Sequence, residues 1–239
     1  MIKRDLEICF SPALYEPERL AGSIVVVIDI LRATSAICTA FENGASSIIP
    51  VGTVPEAKDY KNRGYLVAAE RDGIVLDFAD FGNSPFNFTR EKVSGKTIAY
   101  STTNGTGIIK MAASASDLII GSFLNISAVI KWIAARERNV LLFCSGWKNR
   151  FNLEDAVCAG AMAERLMATS LYSTVCDSAK AALDLWSIAK DDLPAYIEKV
   201  AHRSRLREKK LDDCISFCLT NDYTDMVPVL KNGILVRSE

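Results

Sequence analysis

The sequence lacks several features that would each point to a function. It has one histidine, His202, so a histidine-rich zinc site is excluded and a Ser-His-Asp triad would depend on that residue alone. No apolar run approaches the roughly 20 residues that span a bilayer, so we expect no membrane partner. The N-terminal stretch MIKRDLEICFSP has an early acid and no long apolar core, so we expect no signal peptide. The 28 basic and 29 acidic residues nearly balance, so no overall basic field attracts nucleic acid.

The cysteines do not form a recognisable framework. Seven are scattered along the chain, and none belongs to a CxxC pair. An odd, scattered set indicates reduced thiols, which favours a cytoplasmic location.

Three phosphate-handling motifs are also missing. No GxxxxGK[ST] occurs, which excludes a P-loop, and NGTGIIK has Gly105 and Gly107 without the third glycine of the dinucleotide fingerprint. The aspartate-first DxDx[TV] pattern of haloacid-dehalogenase-type phosphatases fails because Leu31 and Ala33 follow Asp29. Any phosphate chemistry must therefore depend on other residues.

Short apolar runs alternate with helical patterns along the chain. We predict strands at 23–29, 47–52, 65–70, 96–102, 117–123 and 139–146, with a closing hairpin in MVPVLKNGILVRS. Strands that alternate with helices predict an α/β fold, a three-layer α/β/α arrangement with a mainly parallel, mixed central sheet. Pro50 indicates an edge position or a bulge in its strand. No linker divides the chain, so we predict a single domain over 1–239, mostly helical at 171–220.

Polar residues follow several of these strands. Asp29 and Glu70 stand at two strand ends, and the loops STTNG and CSGWKNR follow two others. Ligands of open α/β sheets bind beyond the carboxyl ends of the strands, so we expect these segments to converge on one crevice. The loop from Arg71 to Phe88 is long enough to indicate a functional role.

The residue types indicate anion and metal chemistry. Asp29, Glu70, Glu154 and Asp155 offer the hard oxygen ligands that suit Mg²⁺. Arg32, with the amides and hydroxyls of STTNGT, suits a phosphate or a sulfonate. Other interpretations stay open, since Asp155 could favour a helix N-terminus and Asn83-Ser84 could be turn chemistry before a proline.

A thiol and the histidine complete the set of reactive groups. Cys144 and Arg150 have the C-x5-R spacing of cysteine-dependent phosphatases, in which a thiolate beside a guanidinium attacks phosphorus. The alternative is a buried strand cysteine, because Phe143 stands where those enzymes carry histidine. We interpret His202, within the basic run AHRSRLREKK, as a surface helix residue.

Five ordered stretches resemble one family. The segments VVVIDILRATSAICTAFENGASSIIPVGTVPEA, GNSPFNFT, TTNGT, GSFLN and FNLEDAVCAGA come in the order and spacing of the 2-phosphosulfolactate phosphatase family. The resemblance covers about residues 25–166. It implies a Mg²⁺-dependent phosphatase of α/β/α fold that removes phosphate from 2-phospho-3-sulfolactate on the route to coenzyme M.

Together, these patterns predict a cytoplasmic, Mg²⁺-dependent hydrolase of a small anionic phosphomonoester. Attack on phosphorus would come from Asp29, Cys144 or metal-bound water, with Arg32 on the phosphate. Substrate-binding and metal-binding residues are predicted as two groups. The first is Asn83, Ser84, Thr102, Thr103, Asn104 and Gly105; the second is Asp29, Glu70, Glu154 and Asp155. A homodimer is one possible assembly. The alternative is an anion- or cofactor-binding α/β protein without phosphatase activity.

Overall fold

A computed structural model describes residues 3–17 and 22–238. The predictions that extend to residues 1–2, 18–21 and 239 lie outside this described part. The strands of the described part are β1 (Arg4–Cys9), β2 (Ile24–Ile28), β3 (Ser47–Pro50), β4 (Leu66–Arg71), β5 (Ile74–Val75), β6 (Thr97–Ser101), β7 (Asp117–Gly121), β8 (Val140–Cys144), β9 (Tyr172–Ser173), β10 (Pro228–Lys231) and β11 (Ile234–Arg237). Its helices are α1 (Ala33–Glu42), α2 (Val54–Asn62), α3 (Arg90–Val93), α4 (Gly105–Met111), α5 (Ile126–Ala134), α6 (Leu153–Ala168), α7 (Asp177–Ala189), α8 (Leu193–Ile197), α9 (Ala201–Glu208) and α10 (Ile215–Cys218).

The strands of the described residues form one mixed, mostly parallel sheet in the order β5-β4-β6-β3-β11-β10-β7-β2-β8-β1-β9. Strands β4, β6 and β3 are parallel to one another, and so are β7, β2, β8, β1 and β9. The hairpin of β10 and β11 lies between these two blocks and is antiparallel to its neighbour in each. The α/β prediction and the closing hairpin are therefore confirmed.

Strand β2 is buried on both faces, as its continuous apolar sequence predicts. Ile24, Val26 and Ile28 belong to one apolar core, whereas Val25 and Val27 belong to another. Successive side chains of a strand point to opposite faces, so each face of β2 contributes to its own core. Helices α5, α6 and α7 contribute to the first core, and α1 and α4 to the second. The sheet is thus covered by helices on both sides.

Local signals in the sequence set several helix ends. Helix α1 ends at Glu42 and is followed by Asn43 as its C-cap and by Gly44, whose φ of 91° is accessible to glycine. The Thr53 side chain accepts a hydrogen bond from the Glu56 amide at 3.3 Å, which confirms the predicted cap of α2. Asn152 precedes α6 as predicted, although its side chain makes no capping hydrogen bond.

Two features of the sheet differ from the sequence prediction. Strand β3 is an interior strand, so the edge position predicted from Pro50 is wrong. Pro50 is the last residue of β3, and the pairing with β11 involves only Ile48, so the missing amide costs no hydrogen bond on that side. Strand β1 was not predicted, and neither were the two-residue strands β5 and β9.

None of the helices in residues 3–17 and 22–238 combines the length and the apolar character needed to cross a lipid bilayer.

Candidate functional site

A cleft of about 270 Å³ lies beyond the carboxyl ends of β2, β4, β6 and β8. The residues that line it come from the loops after these strands, from the 72–83 loop and from the region of α9. The charged and polar ones are Asp29, Arg32, Glu70, Asp72, Asn83, Thr102, Thr103, Asn104, Lys148, His202, Arg205 and Lys209. Seven of the predicted site residues are among them, namely Asp29, Arg32, Glu70, Asn83, Thr102, Thr103 and Asn104.

Asp29 is the first residue after β2 and is only 6% exposed. Its backbone is fixed to the start of α1, because its carbonyl accepts the Thr34 amide at 2.8 Å and its amide donates to Thr34 Oγ1 at 3.2 Å. Burial raises the pKa of the Asp29 carboxyl to about 6, against a smaller lowering by His202. A partly desolvated carboxylate therefore faces the cleft.

Gly105 does not line the cleft but gives Asp29 its space. A Cβ atom at this position would lie 2.8 Å from Asp29 Oδ2 and 2.8 Å from the Ala33 side chain. Neither neighbour can withdraw easily, since Ala33 is buried at the start of α1. The structure gives Gly105 a steric role beside the carboxylate, in contrast to the substrate contact that the sequence predicts.

Arg32 is 3% exposed and is held from two sides. Its Nη2 donates to Asn83 Oδ1 at 2.8 Å, and its Nη1 donates to the Leu211 carbonyl at 3.1 Å. Its buried Nε has no protein partner, and no ion pair joins it to Asp29 within the described residues. Asn83 thus orients the guanidinium, and the Nε–H is among the donors that remain for a ligand.

Glu70 organises two loops of the cleft. Its Oε1 accepts the Thr103 amide at 2.7 Å, and its Oε2 accepts the Gly73 amide at 2.6 Å. The Thr103 hydroxyl donates to the same carboxylate at 3.2 Å. Next to it, Thr102 and Thr106 exchange hydrogen bonds between amides and hydroxyls at 3.2 Å. The carboxylate fixes the loop after β4 against the loop after β6.

Glu154 and Asp155 lie behind the cleft, in the first turn of α6, and are fully buried. Asp155 accepts the Ile30 amide at 2.9 Å and the Ser145 hydroxyl at 3.0 Å. Burial and the nearby carboxylates of Asp29 and Glu154 raise the pKa of Asp155 well above its ordinary value. Within the described residues, no group of three or more histidine, cysteine, aspartate or glutamate side chains is arranged to hold a metal. The four predicted metal ligands therefore do not meet at one point.

Cys144 is the last residue of β8, is fully buried and packs in an apolar core. It does not line the cleft, and burial raises the pKa of its thiol well above the ordinary value. Arg150, its partner in the C-x5-R pattern, is exposed. These positions contradict a nucleophilic thiolate, because neither access nor a lowered pKa is present. Ser84 also does not line the cleft.

His202 corrects a second interpretation, since it is not a surface helix residue. Its Nδ1 lies 2.8 Å from Glu154 Oε1, and its side chain, 16% exposed, lines the cleft. Arg205 and Lys209 line the cleft with it, at spacings of three and seven residues from His202. That spacing puts three basic side chains on one helical face, which is the signal in the sequence that could have revealed them.

Trp147 and Lys148 belong to the loop after β8. Lys148 forms an ion pair with Asp72 at 3.0 Å, and its amide donates to Asn104 Oδ1 at 3.2 Å. The Arg205 guanidinium lies 4.1 Å from the centre of the Trp147 ring. This loop therefore connects α9 to the loops after β4 and β6.

The charges of the cleft favour an anion. The basic side chains that line it are Arg32, Lys148, His202, Arg205 and Lys209, and the acidic ones are Asp29, Glu70 and Asp72. Glu70 is occupied by backbone and hydroxyl donors and Asp72 by Lys148, which leaves Asp29 as the carboxylate available to a ligand. The fold and this cleft define the chain as an α/β protein with a charged cleft that suits an anion.

Comparisons with known proteins make the assignment more specific. A family model described as 2-phosphosulpholactate phosphatase matches residues 9–233. A probable 2-phosphosulfolactate phosphatase of Caldanaerobacter subterraneus subsp. tengcongensis is 40% identical over 219 residues, which are 90% of each chain. One of Thermotoga maritima is 41% identical over 214 residues, 90% of this chain and 92% of the relative. The chain belongs to the 2-phosphosulfolactate phosphatase family and is a phosphoric monoester hydrolase.

Proposed function

We propose that this enzyme is a Mg²⁺-dependent phosphatase that hydrolyses 2-phosphosulfolactate to 3-sulfolactate and inorganic phosphate. The observation that carries the proposal is that one cleft is lined by both a carboxylate, Asp29, and a buried guanidinium, Arg32, whose Nε lacks a protein partner. The substrate is taken from the relatives, which are probable 2-phosphosulfolactate phosphatases. That substrate has phosphate, carboxylate and sulfonate groups, which suit a cleft with more basic than acidic side chains.

The residues around Asp29 fit a divalent cation. Burial is the main cause of the raised pKa of Asp29, and the carboxylates of Asp29 and Glu154 add to the effect of burial at Asp155. Mg²⁺ is commonly held by one or two carboxylates, several waters and the substrate phosphate, so a single accessible carboxylate is sufficient. Asp29 would hold the ion, which would offset the charge of the phosphate.

The remaining groups have separate tasks. Arg32 binds phosphate oxygens, and Asn83 keeps its guanidinium in the plane needed for this. The loop of Thr102, Thr103 and Asn104, which Glu70 fixes, orients the anion. Asp29 is also the oxygen nucleophile that the cleft offers, since Cys144 is enclosed in the core. Its attack would release the alcohol and leave an aspartyl phosphate, which water would then cleave to inorganic phosphate and the free carboxylate.

His202 provides a proton donor for the leaving oxygen. Its Nδ1 is bound to Glu154, so Nε2 is the ring nitrogen left for a substrate. An imidazole held in one orientation by a buried carboxylate can transfer a proton at its other nitrogen. Hydrolysis needs such a donor because the departing alkoxide is a poor leaving group.

Four further features belong to the proposal. The cysteines of the described residues form no disulfide, which agrees with a cytoplasmic location. The substrate assignment would place the enzyme on the route to coenzyme M. The single-domain arrangement over 1–239 and the homodimer stay predictions.

A panel of small phosphorylated acids tests the proposal. Purified enzyme would be assayed for phosphate release from 2-phosphosulfolactate, phosphoglycolate and phenyl phosphate, with Mg²⁺ and with EDTA. We expect the highest kcat/KM for 2-phosphosulfolactate and no turnover in EDTA. Binding of these compounds without phosphate release in Mg²⁺ would instead indicate an anion-binding protein without phosphatase activity.

A further inference from the structure

Among the residues that the structure describes, Arg205 differs from the other basic side chains of the cleft in having no hydrogen-bond acceptor. Arg32 donates to Asn83 and Leu211, and His202 is bound to Glu154. Lys148 is paired with Asp72, and Lys209 donates to the Asp72 carbonyl. Within the described residues, Arg205 makes no ion pair or hydrogen bond, and its partner is the face of the Trp147 ring.

The contact with Trp147 places the guanidinium over an aromatic ring. Its central carbon lies 4.1 Å from the ring centre, within the range of a cation–π contact. Stacking on an aromatic face uses none of the five N–H donors of arginine, which point outward in the guanidinium plane. Lys148 Nζ lies 4.8 Å from the centre of the same ring and adds positive charge. The result is an oriented set of donors that lines the cleft without a protein acceptor.

The position of Arg205 separates it from the phosphate site. Arg205 comes from α9, whereas Asp29 and Arg32 follow β2 and are almost fully buried. Arg205 is half-buried and lines the same cleft. A substrate whose phosphate is bound by Arg32 therefore has room to direct a second anionic group toward α9.

We propose that Arg205, oriented by Trp147, binds a second oxyanion of the substrate, the sulfonate or the carboxylate that lies away from the phosphate. This inference rests on the proposed function for the identity of the substrate. Arg205 is then a specificity-determining residue that distinguishes polyanionic phosphoesters from simple ones, and Trp147 is a positioning residue.

Binding measurements on the full chain test this directly. Calorimetry in Mg²⁺ would give the affinities of 3-sulfolactate, malate and inorganic phosphate for the wild type, Arg205→Ala and Arg205→Lys. Malate carries a carboxylate where 3-sulfolactate carries its sulfonate, and phosphate lacks a second anionic group. Arg207→Ala is the matched control, because Arg207 lies on the same helix, is exposed and is paired with Glu198 at 2.8 Å.

We expect Arg205→Ala to weaken 3-sulfolactate binding by about 10- to 100-fold, the range for charge-assisted hydrogen bonds, and phosphate binding by less than about twofold. Arg205→Lys keeps the charge and loses the fork, so its loss should be intermediate. If Arg205→Ala weakens the binding of 3-sulfolactate but not of malate, Arg205 binds the sulfonate. If the binding of both is weakened equally, Arg205 accepts either kind of oxyanion. Arg207→Ala should match the wild type.

Replacements of Trp147 separate a positioning role from a structural one. Trp147→Leu removes the stacking surface and should weaken 3-sulfolactate binding by about 3- to 10-fold at unchanged phosphate affinity, whereas Trp147→Phe should restore most of it. Three results would overturn the inference. They are no binding of 3-sulfolactate by the wild type, an equal loss of 3-sulfolactate and inorganic phosphate binding in Arg205→Ala, or no loss of binding of either of these two ligands. Normal binding without phosphate release would instead count against the proposed function alone.

Discussion

Replacing Asp29 by asparagine should abolish activity while making the metal-free protein more stable. The side chain keeps its shape but can no longer ionise. Because Asp29 faces the cleft beside Arg32, we expect kcat to fall by at least about 100-fold, as when one electrostatic or acid–base group is removed. The gain in stability follows from the burial of a carboxylate that is ionised at neutral pH.

The size of that gain follows from the pKa of Asp29. Burial raises this pKa from 3.8 to about 6, so the folded protein binds the proton more tightly than the unfolded chain. The contribution of Asp29 to the stability of the folded protein is therefore most favourable below pH ~4 and falls as the pH rises through 6. At pH 8 the ionised carboxylate costs about 3 kcal/mol, and at pH 5 it costs about half of that.

Urea unfolding of the wild type and Asp29→Asn in EDTA, at pH 5 and pH 8, measures the difference. At pH 8 the free energy of unfolding of the variant should exceed that of the wild type by up to about 3 kcal/mol, and this difference should be smaller at pH 5. Mg²⁺ should stabilise the wild type but not the variant, and so reduce the difference in stability between them at pH 8. Asp184→Asn, an exposed replacement on α7, is the control and should change neither activity nor stability.

Either of two outcomes would refute this reasoning. A folded Asp29→Asn protein that is less stable than the wild type at pH 8 would mean that the ionised carboxylate stabilises the folded protein. A stability difference that does not change between pH 5 and pH 8 would mean that the ionisation of Asp29 is not its source.

Three further predictions follow from the contacts of the cleft. Arg32→Lys should weaken inorganic phosphate binding about 10-fold or more and also lower the Tm, because the bonds to Asn83 and Leu211 are lost; phosphate affinity equal to that of the wild type would remove Arg32 from the site. Glu70→Gln should destabilise the protein by about 1–3 kcal/mol and lower kcat, since Thr103 and Gly73 lose a charged acceptor. Urea unfolding measures the stability and phosphate release measures kcat, and unchanged values of the two would contradict the role of Glu70 in fixing these loops. Cys144→Ala should keep kcat within about twofold despite a lower Tm, and loss of turnover in a folded variant would restore the thiol as nucleophile.

The predicted residues that the structure brings to the cleft are those whose signal in the sequence is local. The run of β2 predicts a strand buried on both faces, and an acid directly after it needs a partner or a function. The loop of Thr102 to Asn104 follows a strand, so the general rule for ligand sites in α/β sheets is enough to place it, and Asn83 stands just before a proline-containing turn.

The residues that the sequence misplaced depend on tertiary partners. The C-x5-R spacing of Cys144 cannot show that the strand ends with the thiol inside a core. The carboxylates of Glu154 and Asp155 look like ligands until the structure shows that His202, Ile30 and Ser145 contact them.

The basic face of α9 was interpreted as solvated for a related reason. His202 and Arg205 follow an amphipathic spacing, but a helical pattern gives no indication of whether its polar face meets water or a cleft. That distinction depends on the packing of the C-terminal region over the loops of the sheet.

Phosphate release from 2-phosphosulfolactate by the wild type and by Asp29→Asn, each in Mg²⁺, is the most direct test of the account. We expect multiple turnovers by the wild type and at least about a 100-fold lower kcat for the variant, whose fold would be verified by its far-UV circular dichroism. No release by the wild type, or equal release by the two proteins, would contradict the assignment of this cleft as the phosphatase site.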